Sequence, residues 1–158
     1  MTLTEKLLPK LGEWRPVGSG QQSLAAAFPT EGWTVHLTTN KADTLSCLVW
    51  ELTLARNGEA PAGLTLKAWA EGVADRVTGL MEPLKMLEVD NARNEALLRS
   101  EAPANKDDRV AYYEVRLLGV GRAEVRRFSA TRTASGREQV AFALTHEVLA
   151  KLAGDIAG

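Results

Sequence analysis

A chain of 158 residues, 45% apolar and 25% charged, has the makeup of an ordinary globular protein and enough length to bury a core without disulfide or metal staples. Its net charge of −1 sets up no global field toward nucleic acid or a membrane surface. Its single cysteine, Cys47, builds neither a disulfide framework nor a paired-cysteine metal or redox site.

One domain over 1-158 is expected, with a short N-terminal helix at 2-11 and the core at 21-157. The start, Met1 to Pro9, lacks the basic beginning and long apolar run of an export leader, and no stretch approaches the roughly 18 apolar residues that span a bilayer. A cytoplasmic protein is the expectation.

Thr2 and Glu5 have capping-box spacing, and Leu3, Leu7, Leu8 and Leu11 form one helical stripe that Pro9 should kink or end. Gly12 to Gly20 reads as a loop. Three strands follow. Ser23 to Phe28 is short, and Pro29 to Gly32 turns the chain. Trp33, Val35 and Leu37 then alternate with Thr34, His36 and Thr38, a half-buried strand with His36 on its polar side.

Leu45 to Arg56 is the longest strand. Strict alternation places Leu48, Trp50, Leu52 and Leu54 on one face and Cys47, Val49, Glu51 and Thr53 on the other. Thr65 caps a helix whose stripe is Leu66, Trp69, Ala70, Val73, Val77 and Leu80, ending by Pro83. Two short strands follow, Lys85 to Val89 and Glu95 to Ser100, and Glu101 to Arg109 reads as a mobile polar loop. Val110 to Leu117 and Ala123 to Arg126 form a hairpin, and a helical stripe at Val140, Leu144, Val148, Leu149, Leu152 and Ile156 closes the chain. The order is α-βββ-α-ββββ-α. The fold class is α+β, an antiparallel sheet of about seven strands with helices packed on it.

At the turn between the first two of these strands, Phe28-Pro29-Thr30-Glu31-Gly32-Trp33 resembles the F-P-x-x-G-W segment of PsbP/DcrB-like domains. A helix like the one at Leu66 to Glu71 follows the early strands there, and a strand-rich stretch leads into a last helix. The resemblance spans Ser23 to Ile156 and leaves the 2-11 helix outside it. It implies a compact sheet-and-helix scaffold used as a protein-binding or accessory module. It brings no catalytic motif and assigns no site residue.

The sharpest anomaly of composition lies between Arg109 and Arg137. Seven arginines (Arg109, Arg116, Arg122, Arg126, Arg127, Arg132 and Arg137) face only Glu114 and Glu124, while the rest of the chain is acidic. Guanidinium forks suit carboxylate or phosphate, so an anionic ligand or acidic partner is one reading. The other is a solvated face on which Glu114, Arg116, Glu124 and Arg126, all in one alternation phase, pair across strands. Glu51, set in the apolar run Leu48 to Leu52, needs a cationic partner if its face is covered.

His146 and Glu147 do not continue into H-E-x-x-H, and Gly18-Ser19-Gly20 and Gly119-Val120-Gly121 lack the dinucleotide pattern. Cys47 sits among apolar neighbours and reads as a buried inert thiol. No cofactor or metal motif is present.

The expected function is a non-catalytic protein-binding or accessory module, its partner another protein or a second copy in a homodimer, with no nucleic acid and no membrane. The alternative is a small-ligand site or weak enzyme in a pocket between the sheet and the Leu66 to Leu80 helix. The candidate binding residues are Arg116, Arg126, Arg127, Glu51 and Tyr113.

Overall fold

The computed structural model describes residues 1–100, 108–131, 133 and 135–158, together with the backbone of 104–106. Among them are helices α1 (Leu3–Glu13), α2 (Leu66–Arg76) and α3 (His146–Ala157). The strands before the middle of the chain are β1 (Gln22–Phe28), β2 (Trp33–Ala42), β3 (Ser46–Arg56), β4 (Leu84–Asp90) and β5 (Glu95–Ser100). Those after it are β6 (Ala104–Lys106), β7 (Arg109–Leu118), β8 (Arg122–Thr131), β9 (Glu138–Val140) and β10 (Phe142–Thr145).

All strand pairs are antiparallel, and seven strands form the spine in the order β1-β2-β3-β8-β7-β5-β4. Those seven are the expected ones. The three short strands β6, β9 and β10 pair beside this path, with β7, β8 and β3 respectively.

One face of the sheet carries Val35, Leu37, Leu52, Leu54, Leu98, Val115, Leu117, Ala123 and Val125, all buried. The three helices cover that face. Leu7 and Leu11 of α1, Val73 and Trp69 of α2, and Leu149, Leu152 and Ile156 of α3 join the same core. Burying each such side chain contributes roughly 1.5–3 kcal/mol.

The helix ends follow local chemistry. Thr2 Oγ1 accepts from the Glu5 amide at 3.2 Å while Glu5 Oε2 accepts from the Thr2 amide at 2.8 Å, completing the capping box. α1 runs through Pro9 and ends at Glu13, two residues past the expected end at Leu11, so the proline does not stop it. The proline forfeits one backbone bond, but Leu3, Leu7 and Leu11, on either side of it, are all buried and hold the helix together. Gly154 of α3 is the point of closest approach to α1, where an added methyl would overlap the Thr4 hydroxyl.

Two helices are shorter than their apolar stripes. α2 ends at Arg76 because Val77 turns to an extended conformation (φ −75°, ψ 106°); Val77 and Leu80 stay buried outside the helix. α3 begins only at His146, where Thr145 Oγ1 accepts from the Val148 amide at 3.2 Å. Val140 and Leu144, expected on its stripe, lie in β9 and β10. Of the expected Glu101–Arg109 loop, 104–106 is a strand on β7 and Arg109 opens β7; residues 101–103 and 107 lie outside the described residues.

The longest strand departs most from strict alternation. Thr38 pairs with Glu51 but Thr39 pairs with Val49, so Trp50 has no opposite on β2; Lys41 then pairs with Leu48, skipping Asn40. This bulge reverses the phase. Cys47 and Val49 therefore join Leu52 and Leu54 in the core, and Leu48 and Trp50 move to the other face, half-buried.

The bulge sits where β3 and β8 part. β8 holds only Leu52–Ala55 of β3, β10 takes Ser46–Val49, and β9 takes Arg127–Ser129 of β8. The freed Trp50 carbonyl accepts from Gln139 Nε2 at 3.0 Å, so the wedge strand satisfies the group the bulge exposes. Among the described residues no helix is long and apolar enough to cross a membrane.

Candidate functional site

The face of the sheet away from the helices is built from the residues that alternate with the core. Glu51 on β3, Glu124 and Arg126 on β8, Glu114 and Arg116 on β7, and Arg99 on β5 share it. The register places Arg126 opposite Glu114 and Glu124 opposite Arg116, while the ion pairs among these four run along the strands, Arg116 to Glu114 and Arg126 to Glu124.

Two ion-pair clusters result, and they differ in balance. In the first, Arg126 Nε reaches Glu51 Oε2 at 2.7 Å and its Nη2 reaches Glu124 at 3.5 Å, while Arg122 adds a 3.4 Å contact to Glu124. The other Glu51 oxygen accepts from Thr53 Oγ1 at 3.0 Å. Two arginines meet two glutamates, and the cluster is neutral.

The second cluster is not neutral. Glu114, only 4% exposed, receives Arg99 at 3.2 Å, Arg116 at 4.0 Å and Arg137 in close contact. Three guanidiniums share one carboxylate. Each remains about a third open to solvent (36%, 40% and 32%), and among the described residues Glu114 is the one carboxylate within 4.0 Å of them, although Arg116 also lines a surface groove with Glu88, Asp90 and Glu95.

Aromatic rings brace this cluster from below. Tyr112 and Phe128, cross-strand partners, sit 6.1 Å apart. Arg137 lies 3.7 Å above Phe128 and Arg99 lies 4.9 Å above Tyr112, a stacking that orients guanidinium planes. The bond to Glu114 is the main reason the Arg137 guanidinium holds its proton even more firmly than usual; burial works against it, and the Tyr112 hydroxyl helps.

The five residues singled out in the sequence therefore divide. Glu51, Arg116 and Arg126 stand on the open face, Arg116 in the surplus cluster and the other two in the balanced one. Arg127 and Tyr113 belong to the opposite, helix-side phase. There Arg127 Nη2 pairs with Glu82 at 3.1 Å and its guanidinium covers the Tyr113 ring at 4.2 Å, while Phe142 meets Tyr113 edge-on at 5.3 Å. Desolvation pushes the Tyr113 phenol up. The fold thus does not gather Glu51, Tyr113 and an arginine into one cleft.

Arg99 is not among the residues singled out in the sequence, and Arg137 is among the seven arginines of the basic stretch but not among the five candidate residues. Arg99 had a readable signal, since it shares the polar phase of β5. Arg137 reaches the cluster from the segment between β8 and β9, which no alternation encodes. Arg132 lies outside the described residues.

The groups with nucleophilic or acid–base potential are held elsewhere. His36 is exposed on the open face of β2, and His146 is buried at the start of α3 with its Nε2 unpaired. Among the described residues no three His, Cys, Asp or Glu side chains gather to hold a metal. Cys47 is 1% exposed, and burial, reinforced by the Asp43 charge, pushes its thiol up to about 11. Native protein at pH 8 is therefore expected to react with a thiol reagent only at the rate of unfolding, and at once in denaturant. Stoichiometric labelling of folded protein within the mixing time would contradict this assignment.

Comparison with protein-family models, with curated proteins and with solved structures gives no match to this chain.

Proposed function

We propose that the chain is a non-catalytic protein-binding module, and that the open sheet face around Glu114 receives an acidic segment of its partner. The observation that carries this reading is the imbalance at Glu114: three arginines, each about a third exposed, on one buried carboxylate, with Arg99 and Arg137 braced by Tyr112 and Phe128. A structural ion ladder needs no such surplus, as the neutral cluster at Glu51 and Glu124 illustrates. Bidentate guanidinium forks held flat on aromatic rings are suited to carboxylates. The likeness to PsbP/DcrB-like domains, used as protein-binding or accessory modules, agrees with this reading.

A ten-residue oligoglutamate peptide tests it by titration calorimetry at low ionic strength. Binding should weaken steeply with salt. Replacing Arg99 and Arg116 together by alanine should weaken it about tenfold, while Lys67→Ala on α2 should leave it unchanged. Absent binding, or binding equally lost in the Lys67 variant, would refute the proposal.

A further inference from the structure

The two ends of the sheet are built differently. At one end, β4 carries Lys85, Glu88 and Asp90, follows Pro83, and is broken by an irregularity at Leu87, which has no partner on β5. Charges, proline and bulges are the devices that keep a free strand edge from recruiting another chain.

At the other end, β1 has none of them. Its seven residues, Gln22-Ser23-Leu24-Ala25-Ala26-Ala27-Phe28, include no charge and no proline, and their register with β2 is unbroken from Gln22↔Thr39 to Phe28↔Trp33. Ser23, Ala25 and Ala27 are exposed, and no strand pairs on the outer side among the described residues.

We infer that β1 pairs antiparallel with β1 of a second copy, about a two-fold axis at Ala25, to make one sheet continuous across two chains. An isologous contact sets each residue against its mirror. Ala25 meets Ala25, Ser23 meets Ala27, Leu24 meets Ala26, and Gln22 meets Phe28. No like charges oppose one another. On the open side the facing residues are small, so the backbones can approach to the normal inter-strand spacing of about 4.8 Å. On the helix side, half-buried Leu24 gains cover.

A second feature points to the same occupant. Between α1 and the end of β1 runs an open groove of about 350 Å³, lined by Met1, Pro9, Ala27, Phe28 and Pro29 together with the charged Glu5, Lys6, Lys10 and Glu31. Glu31 Oε2 binds Lys6 at 2.8 Å, but its Oε1 is buried with no hydrogen-bond partner. A buried acceptor left without a donor is costly. Pairing centred on Ala25 brings the partner subunit's Gln22 beside Phe28 on the helix side, at this end of the groove, where its amide reaches Glu31 once that carboxylate, whose Oε1 is closed to solvent in the single chain, turns outward. Met1, 83% exposed in the single chain, lies in the same groove.

Analytical ultracentrifugation of the full chain, with Ala25→Lys and Ala25→Glu variants, tests the pairing. The wild type should sediment at twice the 17.1 kDa chain mass. Either variant sets two like charges face to face across the axis and should raise the dimer Kd about tenfold or more. An equimolar mixture of the two variants should regain the two-chain mass as a heterodimer. Ala25 is exposed, so both variants should keep the wild-type near-ultraviolet circular dichroism. If either does not, hydrogen exchange of the wild type decides instead, with Ser23 to Ala27 amides gaining protection as concentration rises. A one-chain mass up to millimolar concentration would overturn the inference. So would a dimer unaffected by both variants, a mixture that stays monomeric, or edge amides whose exchange ignores concentration.

Discussion

Replacing Trp69 with alanine is expected to destabilise the protein by about 3–5 kcal/mol, the largest effect of any single truncation considered. The indole is 3% exposed and packs on Trp33 with ring centres 5.9 Å apart. Its Nε1–H donates to the Ile156 carbonyl at 2.9 Å, in a buried setting. That carbonyl belongs to the last turn of α3, where helix geometry leaves acceptors without intrahelical donors. One side chain therefore ties α2 to β2 and to the end of α3, and Arg56, 4.3 Å above the Trp33 ring, closes the stack from outside. Removing it leaves both a cavity and an unpaired buried acceptor, two costs that add. For a chain of this length the melting temperature should fall by about 10 °C. Trp69→Phe separates the terms, since it keeps most of the ring and deletes the donor; about 1–2 kcal/mol is expected from it. Equilibrium urea unfolding measures both. A Trp69→Ala midpoint close to that of the wild type would mean that α2 and α3 are not held together through this residue.

How this core could be read from the sequence depends on whether a residue's role is local. Alternation in Trp33 to Thr38 and in Val110 to Leu117 is a local property, and both strands lie where it puts them. The caps at Thr2 and Thr65 are local too, and both hydroxyls accept the expected amide three residues on. The β3 bulge is not local. Leu48 to Leu54 shows apolar residues on both phases, and only the partner strands decide which phase is interior before and after Trp50. Phe142-Ala143-Leu144-Thr145 did carry a period-two signal, with Phe142 and Leu144 buried. It was masked because Leu144 and Val148 also have helical spacing. The wedge that β9 and β10 fill exists only once β3 and β8 have diverged.

The site divides the same way. That Glu114, Arg116, Glu124 and Arg126 share a face follows from strand period, but the ion pairs among them run along each strand, Arg116 to Glu114 and Arg126 to Glu124, rather than across strands as expected. Arg126 and Arg127 are neighbours in sequence with equal charge, yet period two sends one to Glu51 on the open face and the other to Glu82 behind it. The surplus at Glu114 depends on Arg99 from another hairpin and Arg137 from a connecting segment. No window of the sequence contains both.

That surplus makes Glu114→Gln a test with two readouts of opposite sign. The substitution keeps the shape and one acceptor but removes the one negative charge that, among the described residues, pairs with all three guanidiniums. Losing one partner of a fully buried pair costs about 3–5 kcal/mol. Here the arginines are about a third exposed, and water takes over part of their solvation, so a loss of about 1–2 kcal/mol is expected. The same change frees the arginines and adds one positive charge to the face. If the face receives an acidic segment, oligoglutamate should bind the variant about threefold to tenfold more tightly while the protein itself melts earlier. A merely structural cluster predicts the first effect without the second. Lower stability with unchanged or weaker peptide binding would therefore leave Glu114 as a brace for the sheet and detach the arginines from any role in recognition. Unchanged stability would show that Tyr112 and Phe128, rather than the carboxylate, hold Arg99 and Arg137 in place.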